Sequence, residues 1–248
     1  HCQGTYFDDA RFHSQRTSFE WVEFHGLVTS FESVEFHGQA IFKGQSPKHV
    51  FLGGRVNLQK VVIHEKGSLV FDWVDLSRTQ FLHTDLSKVK FLDVTWDHPY
   101  ARNVGSVRWG RWRSCVYDEA LWRGKSGDPQ NQLGTDPESL FHLGRLYRGL
   151  KTYYRDTGEH HLVAHFHYGL MEVQWHQKEA EQAAEEASWL KRKRKKWFSW
   201  ETAYRYSSGY GEDYAWAGTV LALMLLGFTA VYWLLDVPSV MRGEPGWK

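Results

Sequence analysis

The chain has 248 residues, 42% of them hydrophobic, and a formal net charge of +1. That length holds one or two domains, and the near-neutral balance excludes a global electrostatic attraction to nucleic acid. Its two cysteines, Cys2 and Cys115, lie far apart and without metal-ligand spacing, which excludes a disulfide framework and fits a reducing compartment. No basic start followed by an apolar core marks the N-terminus, so no signal peptide is expected.

Residues 11–98 carry a period of five. Phe19 and Phe24 open it, Phe31, Phe36 and Ile41 continue it, and Leu58 and Ile63 follow with Val56 and Val61 two positions before them. The longest run is Phe71, Leu76, Phe81, Leu86, Phe91 and Trp96, each preceded at two positions by Leu69, Val74, Thr79, Thr84, Val89 and Val94. A helix needs a spacing of about 3.6 and a simple strand a spacing of about 2; a sustained five is the mark of a repeat architecture. If each five-residue unit makes one side of a square coil, four units close a turn in about 20 residues. The central residue and the small residue two before it then both point to the axis, because side chains alternate on extended backbone. These twelve residues are the expected repeat core. There is room for about four coils, a rod roughly 19 Å long at the strand spacing. The glycines between runs, Gly26, Gly38, Gly44, Gly53, Gly54 and Gly67, are expected at corners, bulges or short insertions.

The units V-D-L-S-R, T-Q-F-L-H, T-D-L-S-K and V-K-F-L-D over residues 74–93 resemble those of the pentapeptide-repeat family, which read A-(D/N)-L-x-x. The resemblance implies a right-handed quadrilateral β-helix. Some members of that family imitate duplex DNA and bind topoisomerases, which needs an acidic surface. Residues 11–97 carry ten acidic and ten Lys/Arg residues, against that mode. His13, His25, His37, His49, His64, His83 and His98 are scattered through the region. Several follow a central aromatic and should point outward, and no pair has a spacing that the repeat would align, so no metal site is expected.

Residues 99–135 have no period and read as a linker or cap. Arg108, Arg111, Arg113 and Arg123 alternate with Trp109, Trp112 and Trp122. Such a mix can stack on single-stranded nucleic acid, but covering the open end of the solenoid is the preferred reading. Gly124-Lys125-Ser126 is not a phosphate loop, because Glu119 stands where the first glycine belongs.

Residues 136–196 read as a helical hairpin with a basic run. Asp136-Pro137 starts a helix, whose apolar face is Leu140, Leu143, Tyr147, Leu150 and Tyr154. Asp156-Thr157-Gly158 ends it. A second helix opens near Glu159, with Val163, Phe166, Leu170 and Val173 on one face, and should pack antiparallel to the first. The segment resembles the hairpin that follows the repeats in a group of bacterial membrane-anchored pentapeptide proteins. His161 and His165 share a face but lack a third ligand at a motif position. Lys191, Arg192, Lys193, Arg194, Lys195 and Lys196 form a basic run about 20 residues before the long apolar segment, where such a run reads as a cytoplasmic flank touching anionic lipid.

Residues 197–248 hold that segment. Positions 215–235 carry no charge and are long enough to cross a bilayer as a helix, with Tyr214, Trp216, Tyr232 and Trp233 as an aromatic belt. Arg205, Ser208, Tyr210 and Gly211 are similar to the Y-R-x-x-S-x-Y-G element that leads into the first membrane helix of the same bacterial group. Some of its members continue into a pore; here no T-x-G-Y-G filter follows, and a complete pore is not expected.

The expected fold is thus a β-solenoid, then a helical hairpin, then one transmembrane helix. The expected function is a non-enzymatic membrane-anchored scaffold in the inner (plasma) membrane, its N-terminal region cytoplasmic. It would need no catalytic residues, cofactor or metal, and would bind protein partners and the lipid bilayer but no nucleic acid. Gly218 and Gly227 on the apolar helix offer a route to homo-oligomers. Two alternatives are a subunit of a two-helix channel-like protein lacking its pore, and a DNA-mimicking topoisomerase binder.

Overall fold

A computed structural model describes residues 4–45, 50–52, 54–96, 113–124, 137–185 and 214–234. The chain forms two compact units, His1–Glu185 and Glu186–Lys248.

The first unit opens with eleven short strands: β1 (Gly4–Tyr6), β2 (Arg11–Phe12), β3 (Arg16–Glu20), β4 (Val28–Ser30), β5 (Glu35–Phe36), β6 (Gln39–Lys43), β7 (Arg55–Asn57), β8 (Val62–Ile63), β9 (Ser68–Asp72), β10 (Thr79–Gln80) and β11 (Val89–Leu92). They form three parallel sheets, ordered β1-β4-β7-β10, β2-β5-β8 and β3-β6-β9-β11. Bridges Phe24–Phe51 and Asp75–Thr95 hold a fourth side. Each strand pairs with its counterpart one coil away, which is a parallel β-solenoid of about four turns, compatible with a pentapeptide-repeat fold.

The period of five works as an aromatic column on each side. On one side Phe19, Phe42, Phe71 and Phe91 stack at 4.6, 5.4 and 5.9 Å between ring centroids. Phe7 stacks on Phe31 at 4.8 Å, and Phe12 on Phe36 at 5.2 Å. Every stack stabilises by apolar burial and by ring contact. Of the twelve expected core residues, Leu69, Phe71, Val74, Leu76, Thr79, Phe81, Thr84, Leu86, Val89, Phe91 and Trp96 are buried. Val94 is half-buried and packs against them.

Three expectations need correction. The 20-residue turn holds only for the last coil, where Leu69 lies opposite Val89; Gln39 lies opposite Ser68, so the earlier coils carry insertions. One such slip moves the inward residue from Ile41, which is half-buried, to Phe42, which is fully buried. Among the described residues, Gly26, Gly38, Gly44, Gly54 and Gly67 are not the left-handed corners. Those are Asp9, Ser33, Lys60 and His83 on one edge and Trp21, Trp73 and Asp93 on another, all with φ between 50° and 66°. Glycine instead serves where coils touch: a Cβ at Gly54 would stand 2.0 Å from the Leu27 carbonyl oxygen, and one at Gly38 2.3 Å from that of Ser14.

After the solenoid come α1 (Tyr117–Trp122), α2 (Pro137–Thr157) and α3 (His160–Glu185). Gly158 turns α2 into α3 at φ +84°, and the Glu159 carbonyl accepts from the Leu162 and Val163 amides at the start of α3. The apolar faces of both helices, including Leu143, Tyr147, Leu150, Phe166 and Val173, join the solenoid core. One hairpin cannot bury its own faces, so the end of the β-solenoid supplies the missing surface. Asp136 and the basic run 191–196 lie outside the described residues.

In the second unit a helix, α4, runs Tyr214–Leu234. Among the described residues no helix is long and apolar enough to cross a membrane. The expected span over 215–235 is therefore not found, although the helix itself is.

Candidate functional site

A solenoid ends in unpaired strand edges, and a buried edge needs donors and acceptors from elsewhere. Here polar side chains supply them. Asp118 on α1 is fully buried; its carboxylate accepts the Phe81 amide at 3.0 Å and the Leu82 amide at 3.2 Å. The Tyr153 hydroxyl on α2 accepts the Phe91 amide and donates to the Phe91 carbonyl, both at 2.9 Å. Trp96 Nε1 donates to the Tyr154 hydroxyl at 2.7 Å. The expected tryptophan lid takes no part in these bonds: Trp122 sits on α1 against His176, and Trp109 and Trp112 lie outside the described residues.

Beside this edge is a buried ionic cluster. Glu119 takes Arg113 Nη2 at 2.5 Å, Arg123 Nη2 at 2.8 Å and the Tyr147 hydroxyl, and Arg123 reaches Glu172 on α3 at 3.5 Å. Burial alone would push the Glu119 carboxyl up, but the two guanidinium groups outweigh it and hold it below its usual range. Arg123, through Glu172, and Tyr147, through Glu119, therefore tie α1 to the hairpin. Two of the four arginines of the basic–aromatic segment, Arg113 and Arg123, are thus engaged by carboxylates within the protein.

An open groove of about 660 Å³ separates the last coil from α2. Its walls include His83, Asp85, His142, Arg145, Arg148 and Asp156, with the His83 and His142 rings 4.0 Å apart. Loss of water, then the neighbouring His142 and Lys60, lower the His83 pKa. The groove thus offers polar and charged groups of both signs. No family model, no curated protein and no solved structure matches the chain.

The histidines fall differently from expectation. His13, His37 and His64 follow Phe12, Phe36 and Ile63, which the strand register places opposite one another. Their rings form an outward column at 4.3 and 3.8 Å, so the repeat does align histidines. The uneven coil lengths hid this alignment, since the three are not evenly spaced in sequence. By contrast, the His161 and His165 rings stand 6.4 Å apart, and His165 Nδ1 accepts the Ser114 amide at 3.1 Å. None of Asp118, Glu119, Tyr147 or Tyr153 was signalled as a site by sequence. Only the apolar spacing of α2 marked Tyr147, and as a core residue.

Proposed function

We propose that this chain is a non-enzymatic pentapeptide-repeat scaffold, attached to a membrane through α4 and presenting the solenoid and its groove to a protein partner. The observation that carries the reading is the surface of α4. Leu221, Leu223, Leu225, Leu226, Phe228 and Trp233 point to different sides of the helix and are all more than half exposed. A helix that is apolar all round belongs in a protein core or a lipid phase, and an apolar patch of this size marks an interaction site. The six-residue basic run 191–196 suits the anionic lipid of a cytoplasmic leaflet, which would leave the solenoid cytoplasmic. The rigid stacked coils and the mixed-charge groove support partner binding over catalysis.

Flotation with anionic vesicles tests the attachment. The chain should float with them, and replacing Leu221, Leu225 and Phe228 by Asp should leave it at the bottom of the gradient. Equal flotation of the two proteins would remove α4 as the attachment and the reading with it.

A further inference from the structure

The column of imidazoles on the outer face has one feature that surface decoration does not need. Glu35, on β5, turns its carboxylate toward the two lower rings: Oε2 lies 3.6 Å from His37 Nε2 and 3.3 Å from His64 Nε2. All three donor atoms lie within 4.8 Å of one another. A zinc ion bonds nitrogen and oxygen at about 2.0–2.1 Å, and tetrahedral geometry then sets ligand atoms about 3.4 Å apart. The two carboxylate–imidazole separations already match that edge.

Other observations point the same way. His37 Nε2 is out of water and has no hydrogen-bond partner, and a buried polar nitrogen left so is costly. The remaining Glu35 oxygen, Oε1, is held by Arg11 Nε at 3.2 Å, which fixes the carboxylate as second-shell partners fix metal ligands. The His37 ring lies between those of His13 and His64, nearly parallel to the latter at 12°, so the part-exposed His64 ring has to turn for both Nε2 atoms to face one ion. The cluster is half exposed, so an ion can enter and keep a coordination position for water or a partner's side chain.

We propose that Glu35, His37 and His64 form a binding site for a divalent transition ion of the zinc class, two ligands coming from one coil and the third from the next. The ion would clamp the second coil to the third on the solenoid's outer face, independently of any membrane attachment. Three other charged or titratable groups bear on the site. Arg11 and His13 stand next to it on the preceding coil, and Lys88 on the following side is engaged by the Ile63 carbonyl at 3.0 Å. Binding needs a neutral imidazole and an ionised carboxylate.

The test is titration of the full chain with Zn²⁺ by calorimetry and with Co²⁺ by its visible ligand-field bands, alongside His64→Ala, Glu35→Gln and, as a control away from the cluster, His161→Ala. Wild type and the control should take up one ion per chain with the same affinity, and the ion should raise the thermal midpoint. His64→Ala and Glu35→Gln, both at outward positions, should keep the wild-type circular dichroism and bind at least ~10-fold more weakly. Absence of saturable uptake would overturn the proposal. So would uptake that survives both cluster variants, which would place the ion on another of the chain's histidines.

Discussion

Asp118 carries the sharpest consequence of the capped edge. Burial pushes its carboxyl up from 3.8 to about 6, even though the Phe81 and Leu82 amides favour the ionised form. The folded state therefore holds the proton more tightly than the unfolded chain. The stability linked to this group is complete below its unfolded pKa of about 3.9 and is lost as pH rises through about 6. Two pKa units correspond to about 3 kcal/mol, of which roughly 2 kcal/mol falls between pH 4.5 and 7.5. Asparagine cannot ionise, but its Nδ2 replaces one of the two oxygens that accept the Phe81 and Leu82 amides. Asp118→Asn should thus abolish this slope and, with one buried amide left facing a donor, should cost about 1–3 kcal/mol at pH 4.5. Asp118→Ala removes the acceptor from two buried amides and should cost about 1–3 kcal/mol for each of them at pH 4.5. Urea denaturation of the three proteins at both pH values reads all of this. Parallel pH dependence in wild type and Asp118→Asn would refute the reasoning, as would an alanine variant as stable as wild type at pH 4.5.

Other expectations follow from the same contacts. Glu119→Gln leaves Arg113 and Arg123 without their shared counter-charge and should cost about 3–5 kcal/mol by urea denaturation. Phe42→Ala empties a place between Phe19 and Phe71 and should cost about 3–5 kcal/mol. Ile41→Ala, on the other side of the strand, should cost under about 1 kcal/mol, and the reverse order would show the register to be wrong. Gly54→Ala would force its Cβ onto the Leu27 carbonyl; it should lose about 1–3 kcal/mol, and an unchanged midpoint would show that the coils are not in contact there.

The period of five made the solenoid legible, because burial repeats wherever the coil is regular, as from Leu69 to Trp96. It misled at Ile41, since one extra residue near Gly38 reverses inside and outside on an alternating strand. Coil insertions also concealed the histidine column. His13, His37 and His64 coincide only once Phe12, Phe36 and Ile63 are in register. The end cap was illegible for a different reason. Asp118 and Glu119 look like an ordinary acidic helix start, and only the tertiary partners, the Phe81 and Leu82 amides and the Arg113 guanidinium, make them structural. The hairpin was read from spacing alone, with Leu143, Leu150 and Phe166 on its inner faces. The apolar segment was recognised as a helix, but the transmembrane span expected of it is not found among the described residues.

The central claim is attachment of a cytoplasmic solenoid to a membrane, and carbonate extraction followed by protease treatment of sided vesicles tests it most directly. The account predicts that the chain stays with the membrane after carbonate, and that protease reaches the solenoid only from the cytoplasmic side. It predicts, too, that deleting residues 214–234 releases the chain. Release of the intact chain by carbonate would contradict it, as would solenoid cleavage from the opposite side.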